Sequence, residues 1–462
     1  MSLVQSVFRM AAVCSVALAC GLGAGAGNGS TPGSGTTSKG QPAPKGQSAA
    51  QEAVGTWWDR TEPPRGKQLP TSKHYRIRSD LPADQTQKWT KRLDQMYDEY
   101  QRRLVQSAGM RRRTPEILNV FLFARQKDYL DTLRTHFGVN AMGSGGMFFI
   151  TPRGGGLAFF IENLSDQRIS HVAQHEGFHQ FANAFFGSDL PPWLNEGLAE
   201  FFGLSVVEGK TIAVGQAAPH MTELLKTAVE HEAQVPFTTL LRVGHEQWGS
   251  VVQAGKAQIL YLQSWSMVHF LVYGEKGKYQ GAFNRLLQMV NAGTPAWDAM
   301  RQSFGLNSDA DVQDFENKWI EYVKAAKPTS YAAAQTRLEF LAEGLRTVWD
   351  AGQRPTNLKE LRKALQDTNY HYDMQSHGYV MTLQASDDAN FTIPQDLDNK
   401  QPITIEVVPA VPPKSATGKK LEEAHPAPPT IRTRGLQPKD VQVTWTRRAD
   451  SPGEFDYDIA GR

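Results

Sequence analysis

The chain is organised around two neighbouring segments, His171-Val-Ala-Gln-His-Glu-Gly-Phe-His-Gln-Phe181 and Pro191-Pro-Trp-Leu-Asn-Glu-Gly-Leu-Ala-Glu-Phe-Phe202. The first contains an H-E-x-x-H motif, with histidines at 175 and 179. Residues four apart lie on one face of a helix, so both imidazoles can point at a single metal ion. Ser165 or Asp166 can cap such a helix, which we expect to end near Phe186.

The motif predicts a zinc site with a general base beside it. Catalytic zinc takes three protein ligands and leaves its fourth position to water. His175 and His179 supply two of these ligands. Glu176 follows directly on the helix, where its carboxylate can hydrogen-bond the water and act as the base. His171, one turn earlier, is interpreted as a satisfied helix histidine rather than a residue that lines the pocket.

The third ligand must come from another element, and the second segment offers two carboxylates. Pro192 marks the start of a second helix after a break at Gly187, which lets the chain turn back. Glu196 and Glu200 lie one turn apart on that helix. Either can ligate the ion while the other hydrogen-bonds a ligand histidine from behind. We favour Glu196 as the ligand and Glu200 as the supporting residue.

The two segments together resemble the gluzincin metallopeptidases, and more narrowly the bacterial peptidase-MA-like proteins. The resemblance rests on H-E-x-x-H followed by Trp193-Leu-Asn-Glu-Gly-Leu-Ala199 and extends from about His74 to Lys324. It implies that Glu196 is the third zinc ligand. It also implies a zincin-like domain with a mixed sheet, an active-site helix and a helical subdomain after them.

Three further expectations follow from this resemblance. The sheet of such enzymes has an edge strand above the zinc helix that pairs with an extended substrate, here assigned to 156–161. A tyrosine well after the third ligand stabilises the oxyanion, and Tyr261 lies at a similar remove. No G-x-M-E-N-like segment that would bind a free α-amine precedes the zinc helix. An endopeptidase is therefore favoured over an exopeptidase.

The N-terminus has the pattern of an export signal. A short apolar run follows Arg9, and cleavage is expected either after Ala24-Gly25-Ala26 or before a lipidated Cys20, which would tether the protein to a membrane. Both cysteines lie within the first 20 residues, so the folded part uses no thiol chemistry. We expect a signal over residues 1–26, a disordered Gly/Ser/Pro-rich linker over 27–70, and a location in the periplasm, cell envelope or extracellular space.

Apolar periodicity predicts an α+β protein with two folded parts. Strands at 74–79 and 116–123, a helix at 83–106 and a hairpin at 146–161 precede the zinc helix, and helices dominate from 219 to 349. These elements form the predicted domain at 71–350. Short β-type runs at 379–383, 403–408 and 441–445 predict a small β-rich C-terminal module at 351–462.

Composition restricts the function further. A net charge of +2 over 462 residues gives no sign of a nucleic-acid partner. The sequence thus predicts an exported zinc peptidase that acts on peptides or proteins with a metal-activated water. The alternative is a catalytically inactive cell-envelope binding or scaffold protein that retains the metallopeptidase fold. The intact Glu176 argues against it, because a protein without turnover has no chemical need of that residue.

Overall fold

The computed structural model describes most of the chain after the predicted linker. Its described residues are 72–111, 117–187, 190–254, 258–376, 379–395, 401–410, 426–448, 451 and 453–461. The predicted signal, Cys20 and the linker lie outside this part. Within the described residues, no helix combines the length and apolar character that crossing a bilayer requires. The protein is α+β, as predicted, with helices forming the larger share.

A four-stranded mixed sheet opens the fold. Its strands are β1 (Tyr75–Ser79), β2 (Leu118–Phe123), β3 (Gly146–Thr151) and β4 (Gly154–Phe160), in the spatial order β1-β2-β4-β3. β1 and β4 both run parallel to β2, whereas β3 returns antiparallel to β4. β2 is the most apolar strand and its last four residues are buried, as expected for a strand covered on both faces.

The edge strand next to the helix that carries H-E-x-x-H is β3. The expectation that 156–161 forms this edge is wrong, because β4 is hydrogen-bonded on both sides, to β2 and to β3. The hairpin itself is confirmed, with Phe148 opposite Leu157. Pairing with the distant β2 therefore converts the later strand of the hairpin into an interior strand and leaves the earlier one at the edge.

Helices cover both faces of the sheet. α1 (Ala83–Tyr100), which continues in wider turns to Gln106, packs on one face together with α3 (Asp166–Phe186). Residues of α1 spaced three and four apart are buried in this core: Trp89, Leu93, Met96, Tyr97 and Tyr100. α2 (Gln126–Thr132) covers the opposite face, where its Tyr129 packs with aromatic residues of the strands.

α3 and α4 (Pro192–Gly203) are the two helices that the sequence predicts around the metal site. Ser165 caps α3 by accepting a hydrogen bond from the N–H of Arg168 at 3.2 Å. α3 ends at Gly187, which has a positive φ of 67° that a residue without a side chain adopts most easily. α4 begins at a proline, whose missing N–H costs nothing in a first turn.

The helical subdomain follows α4 and a small hairpin, β5 (Val206–Glu208) and β6 (Thr211–Ala213). Its longest helix, α8 (Gln258–Gly277), packs along α4 and has non-helical backbone at Gly274, Glu275 and Lys276. The subdomain helices are α5 (Pro219–Glu230), α6 (Phe237–Leu240), α7 (His245–Gln253), α8 (Gln258–Gly277), α9 (Gln280–Asn291), α10 (Ala296–Phe304) and α11 (Asp309–Ala325). The sequence predicts helices at 236–242 and 255–273 but none at the position of α7.

Gly197 lets α4 approach α8 at backbone distance. A Cβ at this position would lie 2.8 Å from the carbonyl carbon of Ser264 and 2.8 Å from a methyl group of Val268. We expect Gly197→Ala to lower the free energy of unfolding by about 3 kcal/mol, because one helix would have to move away from the other. Urea denaturation measures this change.

Gly249→Ala is the matched control, since Gly249 also lies within a helix but its Cβ would meet nothing within 4 Å. There we expect a gain of up to about 1 kcal/mol from helix propensity. If both substitutions changed the free energy of unfolding by the same amount, the close contact between α4 and α8 would not need a glycine at position 197.

The C-terminal part forms a second core around α12 (Ser330–Asp350). Its apolar residues pack with α13 (Leu358–Asp367) and a four-stranded antiparallel sheet in the order β12-β11-β10-β9. The strands of this part are β7 (His371–Ser376), β8 (Tyr379–Gln384), β9 (Thr404–Val408), β10 (Thr430–Arg434), β11 (Val441–Arg447) and β12 (Phe455–Gly461). The predicted domain boundary at 350 thus falls at the end of a helix that already belongs to this second core.

Candidate metal centre

α3 and α4 bring three predicted ligand atoms together. The Nε2 atoms of His175 and His179 are 3.1 Å apart. The Oε2 atom of Glu196 lies 3.6 Å from the first and 3.4 Å from the second. The three residues are at most 6% exposed. Helical periodicity explains the histidine pair, and the return of the chain through α4 brings the carboxylate to it.

The other nitrogen of each imidazole faces an oxygen atom. Nδ1 of His175 is 3.3 Å from Oε1 of Glu200, and Nδ1 of His179 is 3.2 Å from Oδ1 of Asn195. The His179–Asn195 contact is a hydrogen bond, whereas the His175–Glu200 contact is an ion-pair contact without hydrogen-bond geometry. A close oxygen at Nδ1 favours the tautomer that is protonated there. The lone pairs of both Nε2 atoms and the carboxylate of Glu196 are then directed at the same position.

In the tautomer protonated at Nδ1, these three acceptors converge without a donor between them. Among the described residues, Oε2 of Glu196 accepts no hydrogen bond of normal geometry. A buried carboxylate oxygen and two imidazole lone pairs at such distances repel one another unless a cation lies between them. The donor set of two nitrogens and one oxygen fits a metal ion of the kind that takes imidazole and carboxylate ligands.

A second metal-capable group overlaps the first. His171, His175 and Glu200 also place one potential ligand atom each within 4.8 Å of one another. In this group, however, Oε2 of Glu200 already accepts a hydrogen bond from Nε2 of His171 at 3.0 Å. The geometry therefore supports Glu196 as a ligand and Glu200 as the residue behind His175.

The electrostatics of the metal-free cluster show why a cation suits it. Burial lowers the pKa of His175, but Glu200 and Glu196 outweigh burial and raise that pKa well above its usual value. The pKa of His179 is raised by Glu196 in the same way, again against burial. Burial raises the pKa of Glu196, yet His179 and His175 bring it down to about 2. Without a metal ion, protons on the two imidazoles thus supply the positive charge that balances the carboxylates.

Glu176 lies beside the cluster with its carboxylate held from the sheet. Its Oε2 accepts a hydrogen bond from the main-chain N–H of Phe148 in β3 at 2.8 Å, and the residue is 6% exposed. Burial raises the pKa of Glu176, and the opposing effects of His175, His179 and the Phe148 N–H do not cancel it. A buried carboxyl with a raised pKa binds a proton more readily than a surface one.

Further contacts hold α3 in register with its neighbours. The amide of Gln174 donates to the carbonyls of Gly203 and Ser205 at 2.9 and 3.0 Å, at the end of α4. Tyr100 of α1 donates to the carbonyl of Gln174 at 2.7 Å. Both residues are buried. Hydrogen bonds at Gln174, the residue next to His175, therefore join α3 to the C-terminal end of α4 and to α1.

The stabilising effect of a metal ion should depend on pH. The raised pKa values of His175 and His179 contribute stability to the metal-free protein that is complete below their unfolded pKa of about 6.5 and is lost as pH rises through the folded values. Metal ligation needs unprotonated imidazoles, so affinity rises over the same range. With zinc as the probe ion, we expect the increase in Tm on metal addition to grow as pH rises and to level off above the raised folded pKa values of the two histidines.

Thermal melts of metal-free and zinc-loaded protein at several pH values measure this effect. His175→Ala is the control, and its Tm should respond little to zinc at any pH. An increment in Tm that stays constant or shrinks with rising pH in the wild type would contradict the assignment.

The sequence misses two participants in this site and offers a third, His220, only as a weaker candidate that is interpreted as a surface or core residue. Asn195 is adjacent to Glu196 in sequence, and its contact with His179 follows only from how α4 crosses α3. The Phe148 N–H belongs to the main chain and has no side-chain signal. His220, at the start of α5, lies close enough for Glu200 and His171 to affect it, while burial lowers its pKa to about 4.

Tyr261, the predicted oxyanion donor, is half-buried on α8. Its ring lies edge-on to Trp248 of α7, with ring centroids 5.6 Å apart. Packing of this kind fits a core residue as well as a catalytic one. Its catalytic role stays a prediction.

Comparisons with known proteins add no name to this site. The chain matches no protein-family model, and a search of curated proteins finds no match. The site itself is a buried cluster of two histidines and one glutamate that could hold a metal ion, with a second carboxyl beside it.

Proposed function

We propose that the chain is an exported zinc-dependent peptidase, with a zincin-like catalytic domain, that cleaves within polypeptides. The observation that carries this proposal is the convergence of His175 Nε2, His179 Nε2 and Glu196 Oε2 within 3.1 to 3.6 Å of one another. Two nitrogens and one carboxylate oxygen, held on two helices, match the ligand set of catalytic zinc sites that keep a position open. Glu176 supplies the acid–base group that such a site requires.

His175, His179 and Glu196 would hold the zinc, with Glu200 and Asn195 orienting the two imidazoles through their Nδ1 atoms. Bound zinc would supply Lewis-acid chemistry, because it lowers the pKa of water and polarises the carbonyl of the scissile bond. The negative charge of Glu196 would offset part of the charge of the ion in a buried site. Only oriented, unprotonated imidazoles can serve, and the oxygen behind each ring favours that state.

Glu176 would move the proton. As a carboxylate it can accept a proton from the attacking water and then return it to the nitrogen of the leaving amine, so that the C–N bond breaks without releasing an unstable anion. The hydrogen bond from the Phe148 N–H occupies Oε2. This bond holds the carboxylate in one orientation and leaves Oε1 to act on the water.

The outer edge of β3, which no other described strand covers, would bind the substrate. An extended peptide can add to an exposed sheet edge through main-chain hydrogen bonds, which read little of its side chains. β3 is an edge strand of the four-stranded sheet, and the Phe148 N–H points from it toward the site. A polypeptide lying along this edge would continue past the site in both directions, which favours an endopeptidase. Tyr261 is retained as the proposed donor to the oxyanion.

Metal analysis and peptide hydrolysis together test the proposal. Purified protein should contain about one zinc per chain, and removal of the ion with a chelator should abolish cleavage of a mixed peptide library. Added zinc should restore cleavage. The termini of the products distinguish internal cleavage from stepwise removal of end residues.

Each outcome has a distinct meaning. Protein that binds no zinc would refute the site. Protein that binds zinc but cleaves no peptide would favour the binding or scaffold protein instead. Products that differ from the substrate by single terminal residues would replace the endopeptidase with an exopeptidase at the same centre.

A further inference from the structure

Glu200 lies between two imidazoles of the same helix. Its Oε1 is 3.3 Å from Nδ1 of His175, and its Oε2 is 3.0 Å from Nε2 of His171. The side chain of Glu200 is only 5% exposed, whereas that of His171 is 14% exposed. One oxygen thus faces a proposed ligand, and the other faces a histidine one turn farther from the metal-binding atoms.

The space that His171 occupies is shaped for it. A Cβ on Gly203, the last residue of α4, would lie 3.1 Å from the His171 ring and 3.3 Å from Cβ of His175. α4 therefore ends on a residue without a side chain where it passes over these two histidines. The ring centroids of His171 and His175 are 5.8 Å apart. The Glu200 carboxylate contacts both rings.

A buried carboxylate needs a partner for each oxygen, and the partners decide its orientation. The carboxyl group of Glu200 can rotate about its last bond, since that torsion has a broad energy minimum. His175 interacts with only one of its oxygens. A second donor on the other oxygen restricts the rotation and keeps Oε1 directed at Nδ1 of His175.

From this arrangement we infer that His171 is a positioning residue, which orients Glu200 and through it the ligand imidazole of His175. The inference rests on the proposed zinc site and extends it by one residue, so that His171, Glu200, His175 and the metal ion form a continuous chain of contacts. His171 itself does not touch the ion or the substrate.

The test uses the full chain and zinc alone as the ligand. The metal-free protein is titrated with zinc against a chromophoric chelator, and the absorption spectrum of the cobalt-substituted protein reports the symmetry of the site. His171→Leu removes the donor but keeps an apolar body of similar size. His171→Gln places an amide N–H close to the former Nε2. His245→Leu, at the exposed start of α7, is the matched control for loss of a histidine.

We expect His171→Leu to change the cobalt spectrum and to weaken zinc binding about tenfold. This is the lower limit of the loss in affinity that is usual when a residue in contact with a metal ligand is replaced. His171→Gln should restore most of the affinity, and His245→Leu should match the wild type. In a Glu200→Gln background, His171→Leu should cause little additional loss, because its effect passes through the carboxylate. Thermal melts of the metal-free variants identify any variant that does not fold. If His171→Leu does not fold, the zinc affinity and cobalt spectrum of His171→Gln still test the role of His171.

Three results would overturn the inference. Zinc affinities and cobalt spectra that are the same for all folded variants and the wild type would remove the positioning role. Full additivity of the His171 and Glu200 substitutions would show that His171 acts by another route. Two ions per wild-type chain, with one lost on replacement of His171, would make it a ligand. Failure of the wild type to bind any zinc would instead refute the proposed function.

Discussion

Glu176→Gln is expected to bind zinc as the wild type does and to hydrolyse peptides about 10³-fold more slowly, the range in which a positioned general base acts. Glutamine keeps the size of the side chain and an oxygen that can accept the Phe148 N–H bond of 2.8 Å. It cannot accept a proton from water. The predicted loss is therefore confined to kcat, with zinc content and KM close to the wild-type values.

Single-turnover hydrolysis of a quenched fluorescent peptide, with zinc content measured on the same sample, tests this expectation. Glu316→Gln is a closely matched control. Glu316 is also buried, also accepts a main-chain N–H at 3.0 Å, from Phe237, and also has a pKa raised by burial. It lies on α11, and its replacement should leave hydrolysis within about twofold of the wild type.

An unchanged rate in Glu176→Gln would remove the residue from catalysis and favour the scaffold alternative. A loss of zinc together with activity would instead assign Glu176 a role in holding the metal.

Glu196→Gln is expected to weaken zinc binding about 10³-fold, because a buried charge that pairs with the ion is lost while the histidines remain. The carboxylate has a pKa of about 2, so it is charged throughout the neutral range. Glu200→Gln should weaken zinc binding less, by about 10- to 100-fold, as expected of a residue that contacts a ligand from behind.

Competition titrations of the metal-free proteins with zinc measure both affinities. The order of the two effects is the decisive result. If Glu200→Gln has the larger effect, the roles of the two glutamates should be exchanged, and the group formed by His171, His175 and Glu200 becomes the metal site. Equal, small effects would indicate that the third ligand lies elsewhere.

Much of the secondary structure near the site could be predicted from the sequence. The helix α3 was expected to begin at Ser165 or Asp166 and runs over Asp166–Phe186, and α4 was expected from Pro192. Both predictions rest on short-range signals, namely a capping serine, an N-terminal proline and apolar residues spaced three and four apart. The same local geometry places His175 and His179 on one face.

The position of the edge strand could not be predicted in this way. The hairpin of β3 and β4 is local, and two apolar runs joined by a glycine-containing turn indicate it. Which of its strands becomes interior depends on pairing with β2, more than thirty residues earlier, and the strands of the hairpin are similar in apolar character. The β10 and β12 strands were missed for a related reason, because their stability comes from long-range pairing with β9 and β11.

The sequence by itself determined the chemistry available to this protein: two histidines one turn apart, a carboxyl between them, and two further carboxyls on a following helix. These depend on helical periodicity, which is a property of neighbouring residues. Only the tertiary structure decided which atoms meet. The crossing of α3 and α4 directs Glu196 to the Nε2 atoms and Glu200 to Nδ1 of His175 and to His171, and the packing of β3 on α3 brings the Phe148 N–H to Glu176. Such contacts require residues far apart in the chain to be brought together by a shared core, and no local pattern encodes their distances.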